Sequence, residues 1–150
     1  MRRAWTVFFV CAGLPTIACP SSLDVHAGET RFEGVAIYLE SEEPVAAWQF
    51  ELGESSGRMR VVGVENGDSA AFDGAPYYDL QTVSEGEADR IIVADYSLRP
   101  GEELPTGRSR IATVHVQLQG SAEPEYTLSL MAAGGQDGKP VAASIELETL

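Results

Sequence analysis

The stretch PVAAWQFELGESSGRMRVVGVENGD, residues 44–68, decides the fold class. Apolar and polar residues alternate over AAWQFEL, which places Trp48, Phe50 and Leu52 on one side of an extended chain. The turn residues GESSG interrupt the pattern, and the alternation resumes over RMRVVGVE. The stretch ends on Asn-Gly-Asp, a sequence typical of turns. It therefore predicts two consecutive β-strands with a turn between them.

The same period of two continues along the rest of the chain. Val35, Ile37 and Leu39 share one face of TRFEGVAIYLE, and RIATVHVQLQG has the clearest alternation. The residues predicted inward on the last three strands are Val114, Val116, Leu118, Tyr126, Leu128, Leu130, Ala143, Ile145 and Leu147. The strand RIIVADYS has no clear facing, because four consecutive residues are apolar. No window of helical length has an apolar stripe at period 3.6, so we expect an all-β sandwich or jelly roll.

The least regular segment runs from Asn66 to Asp89. Its composition predicts a loop, a weak strand at Tyr77 to Val83, and a second loop. Long loops between rigid strands often carry binding surfaces, which makes this segment a region of functional interest.

The N-terminal residues MRRAWTVFFVCAGLPTIACPSS follow the order of a secretory signal: two arginines, an apolar run, then small residues. The apolar run from Ala4 to Leu14 is too short to span a bilayer as a stable helix. A signal anchor is the alternative. We expect residues 1–20 to be a secretory signal peptide and residues 21–150 to form one β-sandwich domain. The predicted location is extracytoplasmic: secreted, periplasmic or lipid-anchored to the cell envelope.

Cys19 leaves two processing routes open. Thr16-Ile17-Ala18 suits ordinary signal peptidase, whereas a cysteine at the first mature position suits bacterial lipidation. A lipoprotein signal prefers leucine where Thr16 stands, so this match is partial. Cys11 would leave with the leader, and a single remaining cysteine cannot form an intramolecular disulfide. The fold must therefore depend on its core alone.

The chain is acidic, with a formal net charge of −13. Such a surface repels phosphate backbones, so nucleic acid is not an expected partner. The simplest explanation of the negative charge is that it keeps an exported protein soluble. The functional explanation is attraction of cations or of a basic partner.

The order and spacing of several motifs resemble the cohesin family. AGETRFEGVAIYLESEEPVAAWQFEL followed by MRVVGVENGD contains the turn, link and strand signals that cohesins typically show. These signals are Gly28-Glu29-Thr30, Pro44, Trp48-Gln49-Phe50-Glu51-Leu52, Gly67-Asp68 and the later strand residues Ile111, Ala112, Thr113 and Val114. The resemblance covers about residues 22–150. It implies a nine-stranded jelly-roll β-sandwich, related to carbohydrate-binding modules, that binds calcium-loaded dockerins through one sheet face.

Carried over residue by residue, the resemblance implies four partner-binding positions. Gln49 and Glu51 lie on the strand that cohesins use, and Tyr78 and Asp95 lie on the strands beside it. The alternative for each of them is an ordinary solvated strand residue.

The sequence offers no arrangement typical of catalysis, so we expect no enzyme activity and no zinc site. The two histidines, His26 and His115, lack metal-ligand spacing, and His115 is predicted to face solvent. No cofactor is expected. Calcium is a weaker possibility, because Glu65, Asn66, Asp68 and Asp73 offer oxygen ligands without the spacing of a calcium loop. Turn chemistry, in which Asn and Gly tolerate positive φ, is the favoured interpretation of Asn-Gly-Asp.

A polysaccharide-binding module is the alternative to a protein-binding one. Tyr77 and Tyr78 are the best exposed aromatic candidates, whereas the phase of Trp48 predicts a core position. A structural domain of an envelope lipoprotein is the third class. An exposed row of rings would favour the sugar ligand, and a flat apolar patch with a charged rim would favour the protein partner.

Overall fold

The computed structural model describes residues 29–150, so the expectations for the leader, for Cys19 and for His26 lie outside it. Seven strands follow in order: β1 (Thr30–Ser41), β2 (Ala47–Glu54), β3 (Met59–Asn66), β4 (Arg90–Tyr96), β5 (Gly107–Gln119), β6 (Tyr126–Gly134) and β7 (Ser144–Thr149). A short helix, α1 (Leu80–Ser84), and a 3₁₀ turn (Gly101–Glu103) interrupt them. Within the described range, no helix is long and apolar enough to cross a membrane.

The strands form two antiparallel sheets. The four-stranded sheet has the order β3-β5-β1-β7, and the three-stranded sheet has the order β4-β2-β6. The alternating apolar residues of both sheets lie between them, where Trp48 stacks on Phe50 at 5.7 Å between ring centroids and meets Phe72 edge-on at 5.9 Å. The predicted all-β sandwich is confirmed, and so is the core position of Trp48, which is 2% exposed.

The expected number of nine strands is wrong for the part of the chain that is described, which contains seven. The weak strand predicted at Tyr77 to Val83 is reduced to a single bridge between Tyr77 and Ala94, followed by α1. Asp79 explains the change, because its side chain accepts hydrogen bonds from the backbone N–H groups of Gln81 and Thr82. This N-cap favours a helical turn over an extended chain.

A buried carboxylate holds the turn between β2 and β3. The Glu54 side chain accepts hydrogen bonds from the Ser56 hydroxyl (2.6 Å) and from the backbone N–H groups of Ser56 (3.1 Å) and Arg58 (3.0 Å). Burial alone would raise the pKa of Glu54, but these hydrogen bonds and the Arg58 guanidinium lower it to about 2. The ionised form of Glu54 therefore stabilises the turn.

Gly67 is required by a close approach of two backbones. A Cβ at this position would lie 1.8 Å from the Arg110 carbonyl oxygen, which accepts a hydrogen bond from the Asp68 N–H at 3.0 Å. Gly67 does not have a positive φ, and no described residue other than glycine has one. The interpretation of Asn-Gly-Asp through positive φ is therefore wrong, and contact with β5 is the physical reason for the glycine.

Candidate binding surfaces

The outer side of the three-stranded sheet presents the residues that alternate with the core. We call this surface the β2 face; its members are Ala47, Gln49, Glu51 and Gly53 on β2, Arg90, Ile92, Ala94 and Tyr96 on β4, and Thr127, Ser129, Met131 and Ala132 on β6. Gln49 lies opposite Ala94 and Ala132, and Glu51 lies opposite Ile92 and Ser129. The face is supported from below by the buried rings of the core.

Gln49 and Glu51 occupy the middle of the β2 face. The Gln49 amide nitrogen lies 3.6 Å from the Met131 sulfur, and a Glu51 carboxylate oxygen lies 3.8 Å from an Arg90 guanidinium nitrogen. Both side chains are half-buried. Two of the four predicted binding residues are thus on one surface, and their binding role stays a prediction.

Asp95 does not lie on the β2 face, so its expected placement beside Gln49 and Glu51 is corrected. On β4 the buried positions are Ile91, Val93 and Asp95, and Asp95 is only 8% exposed. Its Oδ1 accepts a hydrogen bond from the Tyr96 N–H at 2.7 Å, and its Oδ2 has no partner among residues 29–150. Burial raises the pKa of this carboxyl. Because side chains alternate along a strand, the outward neighbour is Tyr96.

Tyr78 is corrected in the same way, because it packs against the core. Tyr77 is 60% exposed, and its ring stacks on that of Tyr96, which is 55% exposed, with 5.8 Å between centroids and 14° between planes. Adjacent residues of an extended chain point in opposite directions, so Tyr77 and Tyr78 form no common platform. Sequence reasoning missed Tyr96; the only signal was its position next to Asp95 in a strand of ambiguous facing.

The β2 face combines apolar and polar side chains. Ile92 on β4 and Met131 on β6 are exposed on either side of the central strand β2, near the small residues Ala94 and Ala132. Gln49 and Glu51 lie between them on β2, and a Glu51 oxygen lies 3.8 Å from an Arg90 nitrogen. Exposed apolar area beside polar and charged groups is a common composition of protein interaction sites.

The outer side of the four-stranded sheet has a shallow groove of about 560 Å³. Phe32, Val62 and Leu150 are exposed along it. His115 faces outward as predicted, and its Nε2 lies 3.3 Å from a Glu65 carboxylate oxygen.

The residues considered for calcium point to separate partners. Asp68 pairs with Arg110, Asp73 pairs with Arg99 at 2.9 Å, and Glu65 lies beside His115. The Asn66 amide donates a hydrogen bond to the Phe72 carbonyl oxygen at 3.4 Å. Across the described range, no group of three or more His, Cys, Asp or Glu side chains could hold a metal ion.

Comparison with known proteins shows which solved structures resemble this fold. No protein-family model matches the sequence, and no curated protein matches it. Among solved structures, a chain of the CaDoc0917–CaCohA2 complex at pH 5.5 aligns with a TM-score of 0.56 and 12% identity over 77% of this chain and 83% of that chain. A chain of the Coh-OlpC–Doc435 cohesin–dockerin complex from Clostridium thermocellum aligns with a TM-score of 0.53 and 17% identity over 79% and 83%.

These neighbours are cohesin domains in cohesin–dockerin complexes. At sequence identities of 12% and 17%, this structural similarity shows that the fold is shared. The chain is therefore a cohesin-like β-sandwich domain, and the resemblance found in its sequence is confirmed at the level of the fold.

Proposed function

We propose that this protein is a non-catalytic, extracytoplasmic recognition module whose β2 face binds a dockerin-type protein partner. The observation that carries the proposal is the combination of exposed apolar Ile92 and Met131 with polar Gln49 and Glu51 between them on one sheet face. The shared fold supports it, because the structural neighbours are named as cohesins in complex with dockerins.

The chemistry of binding follows from the residues of the face. Ile92, Met131 and Tyr96 would supply apolar contact area, which gives most of the energy of a protein interface. Gln49 and Glu51 would supply hydrogen bonds and fix the orientation of the partner. The stacked Trp48 and Phe50 rings beneath β2 hold the strand in place, so little ordering is needed on binding.

The rest of the chain is consistent with recognition without catalysis. Many carboxylates of the described segment are neutralised by arginines, and His115 lies beside Glu65 on the opposite sheet. The signal-like N-terminus supports export, and lipidation of Cys19 would anchor the protein to the cell envelope. In such a complex, loops of the partner would bind the calcium ions.

The test is a capture experiment on envelope and secreted fractions of the source organism, with residues 21–150 as bait, in calcium or in chelator. We expect recovery of a protein with duplicated calcium loops only when calcium is present. Ile92→Glu should abolish capture, because it replaces an exposed apolar side chain of the β2 face with a charge. Val62→Glu is the matched control, since Val62 is exposed to the same degree (46% against 43%) on the other sheet.

Two results would contradict the proposal. One is an empty eluate from bait that is shown to be folded. The other is an equal loss of capture in Ile92→Glu and Val62→Glu, which would mean that the β2 face is not the contact surface. Binding to insoluble polysaccharide instead would favour the alternative carbohydrate-binding module, and binding of neither would favour a structural envelope domain.

A further inference from the structure

The groove on the outer side of the four-stranded sheet has no role in the proposed contact of the β2 face. Phe32 is 71% exposed, Leu150 is 70% exposed and Val62 is 46% exposed along it. We call these three residues, together with Arg60, the Phe32 patch. Apolar area that a folded domain leaves open to this extent is typical of a surface that another molecule or a membrane covers.

The strand register joins the apolar side chains of the Phe32 patch into one surface. Gly34 on β1 and Gly63 on β3 lie opposite the same residue of β5, so two nearby positions have no side chain. Leu150 covers Gly34, since a Cβ on Gly34 would lie 3.3 Å from a Leu150 methyl carbon. Phe32 precedes Gly34 by two residues on the same side of β1, and Val62 lies at the bulge of β3 beside Gly63.

Arg60 adds a positive charge to this surface. Arg60 and Phe32 lie opposite Gln117 from its two sides, so they share one row of the sheet. The Arg60 guanidinium donates hydrogen bonds to the carbonyl oxygens of Gly57 (3.2 Å) and Met59 (2.6 Å). In the described part of the chain, every other arginine and lysine forms an ion pair with a carboxylate, and Arg60 does not. Its charge is therefore open to an anionic group outside the chain.

The start of β1 connects the Phe32 patch to Cys19. Residues 20–28 separate Cys19 from the first described residue, and Thr30 begins the strand that carries Phe32. A segment of this length spans at most about 40 Å when fully extended, which is about the diameter of a domain of this size. An acyl chain on Cys19 would therefore hold the domain close to the membrane surface, at a high local concentration.

A lipid surface matches the Phe32 patch better than a second copy of the chain does. A second copy would bring another acidic surface, since the formal net charge of the chain is −13. A phospholipid layer supplies phosphate groups for the guanidinium of Arg60. It also supplies the boundary between headgroups and acyl chains, where exposed aromatic and aliphatic side chains such as Phe32 and Leu150 are stable.

The carboxylates that line the groove do not oppose contact with lipid. A Glu33 oxygen lies 3.7 Å from an Arg31 nitrogen, and Glu33 also accepts a hydrogen bond from the Tyr126 hydroxyl at 3.1 Å. A Glu65 oxygen lies 3.3 Å from His115 Nε2. Both carboxylates thus keep a polar partner within the protein when the surface beside them is covered.

We propose that the Phe32 patch rests on the phospholipid surface of the membrane to which Cys19 is anchored. Phe32 and Leu150 lie at the boundary of headgroups and acyl chains, and Arg60 lies beside a lipid phosphate. The two sheets face opposite ways, so this contact turns the β2 face away from the membrane, where a partner can reach it. Anchoring through Cys19 rests on the proposed function, whereas contact of the patch with lipid is measurable with a chemical anchor.

The experiment couples residues 19–150 to phosphatidylcholine vesicles that contain a maleimide lipid. The coupling is specific, because Cys19 is the single cysteine of that segment. Phe32→Trp and Ile92→Trp place a reporter tryptophan on opposite sides of the sandwich, and the buried Trp48 gives the same background in both. We expect brominated phosphatidylcholine to quench the reporter of Phe32→Trp at least about threefold more strongly than that of Ile92→Trp.

A second pair of variants tests the arginine. Arg60→Gln, added to Phe32→Trp, should reduce the quenching by about half, because the contact with lipid phosphate is lost. Arg90→Gln is the matched control, since it removes an exposed arginine from the other sheet and should leave the quenching unchanged. If Phe32→Trp does not fold, Val62→Trp serves as the reporter.

Four results would overturn the inference. They are equal quenching in Phe32→Trp and Ile92→Trp, and equal quenching after Arg60→Gln and Arg90→Gln. The third is a blue shift of the Phe32→Trp emission that grows with protein concentration without vesicles, which would show that a second copy covers the patch. The fourth is an unmodified Cys19 in the mass spectrum of the protein from the envelope of its source organism, which would remove the anchor.

The outcome is separable from that of the capture experiment, whose bait begins at residue 21 and carries no anchor. Lipid quenching without capture of a partner would support the Phe32 patch and remove the proposed partner binding. Capture that depends on Ile92, without lipid quenching, would support the β2 face and remove the membrane contact.

Discussion

Two outer surfaces of the molecule, one on each sheet, differ in how far their side chains contact one another. On the four-stranded sheet, the outward residues Tyr38, Arg108, Arg110, Glu146 and Glu148 form what we call the Tyr38 patch. There the Arg108 guanidinium lies 3.6 Å from the centre of the Tyr38 ring and 2.6 Å from a Glu148 oxygen. On the β2 face, in contrast, Ile92 and Met131 are exposed. The side chains of the Tyr38 patch contact one another, whereas the β2 face leaves apolar area open, as the groove at Phe32, Val62 and Leu150 does elsewhere on the four-stranded sheet.

This difference has a consequence for mutations. Substitutions at the Tyr38 patch, or at residues that hold nearby turns and backbone contacts, should lower the free energy of unfolding, because they remove contacts within the folded chain. Substitutions on the β2 face should cost little stability and should instead affect binding. The following predictions test that division, beginning with the largest expected effect.

Gly67→Ala should destabilise the fold by roughly 3 kcal/mol or more, because its Cβ would collide with the Arg110 backbone beside the Tyr38 patch. Gly63→Ala is the control, since a Cβ there would meet nothing within 4 Å. Urea unfolding followed by tryptophan fluorescence measures both. Equal midpoints for the two variants would show that the close approach is not needed.

Glu54→Gln should cost up to about 3 kcal/mol at neutral pH, because the folded pKa of about 2 lies well below the ordinary value of 4.5. The ionised carboxylate stabilises the fold fully above pH 4.5, and this contribution is lost as the pH falls towards 2. The stability gap between the protein and Glu54→Gln should therefore narrow over that interval. Denaturation curves at several pH values measure it.

Glu125→Gln serves as the control for that experiment. Glu125 belongs to the same region, where it accepts a hydrogen bond from the Ser55 hydroxyl at an exposed position. Its substitution should change stability little at any pH. A difference in unfolding free energy between the protein and Glu54→Gln that stays constant between pH 4.5 and 2 would contradict a stabilising role of the ionised Glu54 carboxylate.

Arg108→Ala should cost about 1 kcal/mol, because it removes the contact with the Tyr38 ring and the ion pair with Glu148, both partly exposed. High salt should reduce the part that comes from the ion pair. Thermal unfolding at low and high ionic strength would measure both contributions. No loss at low salt would mean that the Tyr38 patch is not stabilised by its own contacts.

Ile92→Ser should have the smallest effect on stability, within about 0.5 kcal/mol, because the side chain is exposed on the β2 face. The same change should weaken partner binding clearly. Unfolding curves and the capture experiment give the two readings. A large loss of stability without a loss of binding would reverse the proposed division between the two surfaces.

The extent to which the candidate site could be predicted depends on the strand. In β2, Trp48, Phe50 and Leu52 alternate strictly with Gln49 and Glu51, so both faces were predicted correctly. In β4 the consecutive apolar residues do not indicate by themselves which side chains face the core. Their direction follows from pairing with β2, which sets Ile92 opposite Glu51. Tyr96 and Ile92 therefore entered the site only with the structure.

The sequence by itself determined the properties that depend on neighbours along the chain. These are the strands of clear alternation, the turn GESSG and the inward positions of the core, because side-chain direction in a strand repeats every two residues. The tertiary structure alone decided what depends on distant residues: the helix-capping Asp79 in place of a strand, the burial of Asp95 and the collision that Gly67 avoids. Register and backbone approach are set between strands far apart in sequence, and no local pattern records them.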